Sequence, residues 1–326
     1  MKLRGIEFGA VLDASGARNF DGNGWWYHPL AKPFGMNFEG STFVAKTTTA
    51  FPNAGNMLLK ADGMTPQKLF PDCIWVDRAQ GIALNAVGLS GPGAEFLLAN
   101  AGWEKLTQPF FLSFMALPQK QDVTITAAQQ AEIFVSELLC HLPNFRAPIG
   151  IQLNASCPNV GAQPQPPHEA ILNVHAQLDQ LARAKVPLML KVSVTTPVDI
   201  VMQMANHYAC DAICVSNTVP WGKLPDKIDW KKLFGTDISP LAKYGGGGLS
   251  GAPLLPIVES WVREAREQGF SKAINAGGGI LCPTDAGQLL MAGADSVFIG
   301  SMAFLRPMHV ARTIRHATEI SRLIGR

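Results

Sequence analysis

The stretch "LNASCPNVG" (153–161) sets Cys157 between Asn154 and Asn159, with Pro158 after the thiol, at the end of the apolar run "GIQL". A thiol can act as a base or nucleophile because its thiolate is accessible near neutral pH. A lone cysteine is more often an inert packing residue, but the polar, proline-fixed surroundings argue for chemistry here. Asn85 in "ALNAVGL" and Asn217 with Thr218 in "VSNT" add further amides near the ends of apolar runs. Each asparagine offers both donors and an acceptor. One alone would be read as a turn former, whereas four suit a flat, neutral heterocycle with alternating N–H and C=O groups.

Lys46 in "TFVAKTTT" and Lys191 in "LMLKVSV" each interrupt an apolar run. A buried ammonium is costly unless it is paired or used. Such a lysine can neutralise a phosphate or a reduced flavin ring, or form a Schiff base with a carbonyl; the alternative is a side chain that snorkels to water. Glycines supply the third group: "YGGGGLSG" (244–251), "NAGGGI" (275–280) and "IGS" (299–301). Any of them could be an ordinary turn, but together they suit a nest of backbone N–H groups for an anion such as phosphate. Asp13, His28, His168 and Trp221 have no comparable context, and no spacing of His, Asp or Glu makes a metal site.

These residues need elements that bring them together. Eight short apolar runs recur, at 10–16, 42–49, 110–117, 151–158, 188–194, 212–218, 272–279 and 296–302. Most are continuous rather than alternating, the mark of strands buried on both faces of a parallel sheet. Amphipathic helical stretches at 126–142, 168–184, 198–209, 253–269 and 285–294 lie between many of them, and another closes the chain. Strands alternating with helices predict an α/β fold, a (β/α)8 TIM barrel formed by residues 1–326 as one domain, with an open doubly wound sheet as the alternative. In a barrel, function gathers at the C-terminal strand ends, which is where Ser15, Lys46, Thr47, Asn154, Cys157, Lys191 and Asn217 fall. Residues 17–40 and 51–81 break the pattern as long irregular excursions after strands 1 and 2; loops of that length are usually functional or interface-forming.

The composition narrows the partners. Of 326 residues 47% are apolar and only 16% charged, so a large core and burial against another subunit are equally expected, a homodimer being the assembly expected in the second case. A net charge of +2 gives no electrostatic case for nucleic acid. The N-terminal "MKLRGIEFGAVLD" has no apolar signal segment, and no window is long and apolar enough for a transmembrane helix. Six scattered cysteines without a CxxC pair argue for a reduced, cytoplasmic protein without zinc or its own iron–sulfur cluster.

With "LNASCPNVG", "LMLKVSV", "VSNT", "GGGGLSG" and "NAGGGI…DAGQLLMAGADSVFIGS" in view, the chain resembles the flavin-dependent dihydroorotate dehydrogenases, over nearly its whole length. The resemblance implies an FMN-binding (β/α)8 barrel that oxidises dihydroorotate to orotate in pyrimidine biosynthesis. Cys157 resembles the base of the soluble class, taking a proton while hydride passes to N5 of FMN, and Lys46 would contact the flavin and the reaction centre. Asn85, Asn154, Asn159, Asn217 and Thr218 would hold the pyrimidine and its carboxylate. Ala14, Ser15, Gly16, Thr47, Asn154, Lys191 and Ser216 would border the flavin, and Gly248, Gly278, Gly279, Gly300 and Ser301 would cradle its phosphate. The chain departs from the family where the aromatic stretch with Trp25, Trp26 and Tyr27 replaces the usual helical segment, and where only Gly55 and Asn56 remain of the run after the lysine.

No amphipathic extension precedes the barrel, which argues against a membrane quinone. A soluble acceptor such as fumarate, or a separate electron-transfer subunit passing electrons to NAD, is expected instead. Competing readings are another FMN-dependent pyrimidine oxidoreductase of the dihydrouracil type, a Schiff-base lyase on a phosphorylated substrate using Lys46 or Lys191, and a flavin-binding scaffold without turnover. Residues 25–27 offer an aromatic surface for docking, or simply local packing over the barrel.

Overall fold

The computed structural model describes residues 1–117, 125–155 and 166–326. Its centre is a parallel sheet of β3 (Val11–Asp13), β6 (Phe110–Phe114), β7 (Ile149–Asn154), β8 (Leu188–Val192), β9 (Cys210–Val215), β12 (Ala273–Ala276) and β13 (Ser296–Ile299). The strands run in the order β3-β13-β12-β9-β8-β7-β6. Residues 42–48 lie between the two edges, in parallel bridges Leu12↔Thr42, Val44↔Phe111 and Thr48↔Phe114. They take the eighth position and close the barrel that the eight apolar runs predict.

The strands hold because they are apolar on both faces. Every residue of β6, β7 and β8 is buried. Outside them pack α3 (Ala127–His141), α4 (Pro167–Leu181), α5 (Val198–Ala205), α7 (Leu255–Glu267), α8 (Pro283–Ala292) and α10 (Val310–Leu323). The start of α3 is set by a capping box in which Thr126 accepts from the Gln129 backbone and Gln129 reaches back to Thr126, satisfying two N–H groups the helix cannot. Helices α7 and α8 begin with Pro in their first turn, where no donor is missed.

Inside the barrel, Leu12, Val44, Phe111, Met189, Ala212 and Phe298 form an apolar floor. It is sealed from below by Met1, Leu3 and Phe8 of the hairpin β1 (Lys2–Leu3) and β2 (Ile6–Glu7). Inward positions recur every second residue along a strand. The next layer toward the C-terminal mouth therefore includes Ala14, Ser113, Lys191 and Gly300, and the lining changes there from apolar to polar and small.

A second sheet was not legible as such in the sequence. β4 (Ile74–Asp77), β5 (Ile82–Asn85), β10 (Val219–Pro220) and β11 (Gly248–Gly251) form an antiparallel sheet in the order β10-β11-β5-β4. β10 follows directly on Thr218, so this sheet rises from the rim of the mouth. The stretch 51–81 thus ends in a strand instead of remaining irregular throughout. In the first excursion only α1 (His28–Ala31) and a short 3₁₀ turn form. Trp25 and Trp26 have local partners: the Trp25 indole donates to Gly16 O at 3.0 Å and that of Trp26 to Leu69 O at 2.9 Å. The two excursions therefore pack on each other.

Candidate active site

A continuous chain of side-chain hydrogen bonds crosses the C-terminal mouth. Ser15, just past β3, donates from Oγ to Ala45 O at 2.9 Å and lies 2.8 Å from Thr47 Oγ1. Thr47 Oγ1 is 2.9 Å from Ser113 Oγ on β6. Asn154, the last residue of β7, donates from Nδ2 to Thr47 Oγ1 at 3.4 Å. Asn217, past β9, donates from Nδ2 to Asn154 Oδ1 at 2.9 Å, and Thr218 N donates to Asn217 Oδ1 at 3.0 Å. Thr47, Ser113, Asn154 and Asn217 are all buried, so these bonds replace hydration that the groups have lost. Ser216 is fixed beside them: its N–H donates to Gly277 O at 2.7 Å, and its Oγ accepts from Val194 N at 3.1 Å.

Both sequence-selected lysines lie here and neither reaches open water. Lys46 is buried; its Nζ donates to the Ser90 carbonyl and sits 4.3 Å from the centre of the Phe20 ring. Gly16 is packed against it, since a Cβ there would lie 3.4 Å from Lys46 Cγ. Lys191, on β8, is the register partner of Asn154 on one side and Cys214 on the other, with its Nζ 5.9 Å from the Phe298 ring centre. Burial pushes the Cys214 thiol up to about 12, against the pull of Lys191, and the Cys210 thiol up to about 11. Neither is a base near neutral pH.

Asn85 ends β5, on the antiparallel sheet, paired with Ile74 and Gly248. The loop after it is tightly held. Asn56 Nδ2 donates to Ala86 O at 2.7 Å, and Asn53 Nδ2 to Gly88 O at 2.7 Å. Gly88 and Leu89 both adopt left-handed backbone, with φ of 68° and 59°, which Leu accepts only under constraint.

The glycines divide into two kinds. Gly248 lies within β11, so it is a sheet residue rather than part of a strand-to-helix turn. The turn belongs to Gly251, with φ 108°, which precedes the 3₁₀ turn leading into α7. Gly278 and Gly279 pack against that helix start: a Cβ on Gly279 would fall 2.5 Å from Leu255 N, and one on Gly278 would lie 3.4 Å from Leu254 Cβ. Gly300 meets the first strand end, where an added Cβ would lie 2.8 Å from Ala14 Cβ. Ser301 follows at the start of α9 (Met302–Leu305). Ala14, Gly251, Gly278, Gly279, Gly300 and Ser301 thus flank one part of the rim.

The expected residues Ser15, Thr47, Asn154, Asn217 and Thr218 are joined directly, with Lys46, Lys191 and Ser216 beside them. Cys157 and Asn159 lie outside the described residues. Ser113, Asn53 and Ser90 were missed as candidates. Ser113 had a signal of the kind that marked the lysines, a polar residue inside the apolar run "FFLSFMAL".

Comparison with known proteins gives concordant results. The family model described as dihydroorotate dehydrogenase matches residues 26–322. A protein of Listeria monocytogenes named dihydroorotate dehydrogenase B (NAD(+)), catalytic subunit, is 29% identical over 91% of this chain and 84% of its own. A protein of the same name from Cutibacterium acnes is 28% identical over 80% of this chain and 79% of its own. A crystal structure of DHODH from Eimeria tenella in complex with ferulenol aligns with a TM-score of 0.69 at 18% identity, covering 100% of this chain and 85% of that one.

Proposed function

The chain belongs to the dihydroorotate dehydrogenase family, and from that premise we propose that it oxidises dihydroorotate to orotate with FMN as cofactor and Cys157 as the base. The observation that carries the reading is the hydrogen-bonded network in which Thr47 joins Ser15, Ser113 and Asn154, and Asn154 leads on to Asn217 and Thr218, laid across the barrel mouth beside two buried lysines. It offers a flat, neutral ring amide donors and acceptors held in place.

The residues fit FMN. The glycines at the rim let backbone segments approach closely where a Cβ would collide, with Leu255 N at Gly279 and with Ala14 Cβ at Gly300, and backbone N–H groups at such turns suit a phosphate. Ala14, Ser15, Gly16, Thr47 and Ser216 would border the ring. Gly248, Gly278, Gly279, Gly300 and Ser301 would hold the phosphate, with Gly251 beside them in the turn that leads into α7. Bound FMN supplies the two-electron redox chemistry. The protein's part is to bind, orient and move the proton. Asn85, Asn154, Asn159, Asn217 and Thr218 would orient the pyrimidine and its carboxylate. Cys157 Sγ would take the proton from the ring carbon next to the carbonyl, as the neighbouring carbon gives up hydride and the ring double bond forms. Lys46 and Lys191 would hold positive charge where negative charge develops.

The relatives' designation as catalytic subunits supports a separate electron-transfer subunit as the route to NAD. A homodimer in the cytoplasm completes the proposal. The test is the visible spectrum of the anaerobic protein before and after dihydroorotate is added. Bleaching of a flavin band is expected, and Cys157→Ala should keep the band and lose most of the bleaching. A band that persists in the wild type would move the substrate to another pyrimidine, and bleaching at the wild-type rate in Cys157→Ala would remove the thiol as base.

A further inference from the structure

We propose that Ser113 is a positioning residue, acting through Thr47 on the two amides that face the substrate. The inference rests on the reading of Asn154 and Asn217 as pyrimidine-binding. It starts from the direction of each hydrogen bond along the mouth. Asn154 Nδ2 donates to Thr47 Oγ1 and Asn217 Nδ2 donates to Asn154 Oδ1. Ser15 has one hydroxyl hydrogen, and it is directed to Ala45 O. In the 2.8 Å contact between Ser15 and Thr47, the donor must then be Thr47. Thr47 has spent its own hydrogen there, so the 2.9 Å contact with Ser113 is a bond from Ser113 to Thr47.

Thr47 Oγ1 therefore gives one hydrogen bond and accepts two. Ser15 holds it from the β3 side and Ser113 from β6, and its remaining lone pair receives Asn154. An asparagine amide left to itself can turn over and exchange its oxygen and nitrogen. The acceptor at Thr47 favours the orientation with Nδ2 toward Thr47, which leaves Asn154 Oδ1 to receive Asn217 and Asn217 Oδ1 to receive the Thr218 N–H. Ser113 keeps that acceptor in place. It is 1% exposed, so no water reaches its hydroxyl to substitute for the bond.

The experiment is a double-mutant cycle of Ser113→Ala and Asn154→Ala in the flavin-loaded protein. Two readouts are taken: the dissociation constant of orotate by calorimetry, and the melting temperature without orotate. A single net hydrogen bond predicts that Ser113→Ala weakens orotate roughly five- to tenfold. The same change in the Asn154→Ala background should cost less than about twofold, because the effect travels through that amide. Ser113→Thr, which restores the hydroxyl, should recover most of the affinity. A merely structural role would lower the melting temperature and leave the affinity ratio alone. Unchanged orotate affinity in Ser113→Ala, or equal fold-losses in both backgrounds, overturns the proposal. If the wild type binds no orotate, the functional reading fails. Coupling between the two sites in melting temperature then still supports the hydrogen-bond order, and its absence overturns that too.

Discussion

Lys46, at the barrel mouth, and His28, on α1 of the first excursion, both have little access to water. The ammonium of Lys46 is retained by the Ser90 carbonyl and the face of Phe20, contacts that lower the cost of burying a charge. As a charge at the proposed reaction centre, it should matter to turnover more than to stability. Lys46→Ala is expected to slow dihydroorotate-driven flavin reduction by roughly 10²-fold. Asn56→Ala, which frees only the Ala86 carbonyl, should cost about 1 kcal/mol of stability and leave the rate within a few-fold. Equal rate losses in stopped-flow traces would take Lys46 out of the reaction centre. His28 is buried between Tyr27 and Phe38, with no hydrogen-bond partner for Nε2 among the described residues; desolvation first, and the nearby Arg18 second, lower its pKa from 6.5 to about 4. The folded state thus favours the neutral ring, and the unfolded chain binds the extra proton between those values. Stability is lost as pH falls from about 6.5 to about 4, by up to about 3 kcal/mol, and is untouched above that window. His28→Gln should flatten this part of the melting-temperature profile, and a profile parallel to wild type would assign the acid loss to other groups.

At the scale of elements, the turn after β3 carries three of the five residues proposed to border the flavin ring. Asp13 is 1% exposed, and its carboxylate is held by Arg18 Nε at 2.5 Å and Ser41 Oγ at 2.8 Å. Arg18 in turn lies over the rings of Phe38 and Phe43. This clamp fixes residues 14–17 between β3 and the first excursion. Arg18→Met would leave a buried carboxylate without its cation and is expected to cost about 3–5 kcal/mol, with loss of flavin occupancy. Pairing it with Asp13→Asn should restore much of the stability; a double variant as unstable as the single would mean that the ion pair is not what holds the turn. The sequence did not disclose this pair, because nothing in "LDASGAR" says which way either side chain points. It did disclose β6, β7 and β8, whose apolar runs are buried along their whole length. It could not disclose the second sheet, since β11 is "GLSG", four residues with almost no strand propensity that pair only because β5 and β10 lie alongside.

The whole molecule is a barrel closed at the bottom by its own N-terminal hairpin, which leaves the mouth and its surroundings as the surfaces for exchange. The proposed site residues that the sequence singled out were mostly those at strand ends, because a barrel turns sequence position directly into place on the rim. Ser113 stood out only as a polar residue in an apolar run; its pairing with Thr47 stayed hidden, since which strands neighbour one another is a property of the closed sheet. The same geometry bears on the route of the electrons. No described helix is long and apolar enough to cross a membrane. The two excursions expose Trp26 at 42%, Leu69 at 61% and Phe70 at 76%, with Trp26 edge-on to Phe70 at 5.2 Å. The relatives with NAD(+) in their names are designated catalytic subunits. The chain alone should therefore pass electrons from dihydroorotate to a small soluble dye but not to NAD. Anaerobic assays with each acceptor, read as dye bleaching and as NADH absorbance, separate the outcomes. NADH formation by the isolated chain would put nicotinamide access within this barrel and dispense with the second subunit. Fast turnover with fumarate would make the acceptor a small molecule at the same mouth. Dye reduction alone leaves a separate electron-transfer subunit as the required partner, with exposed apolar surface beside the mouth as the first place to crosslink it.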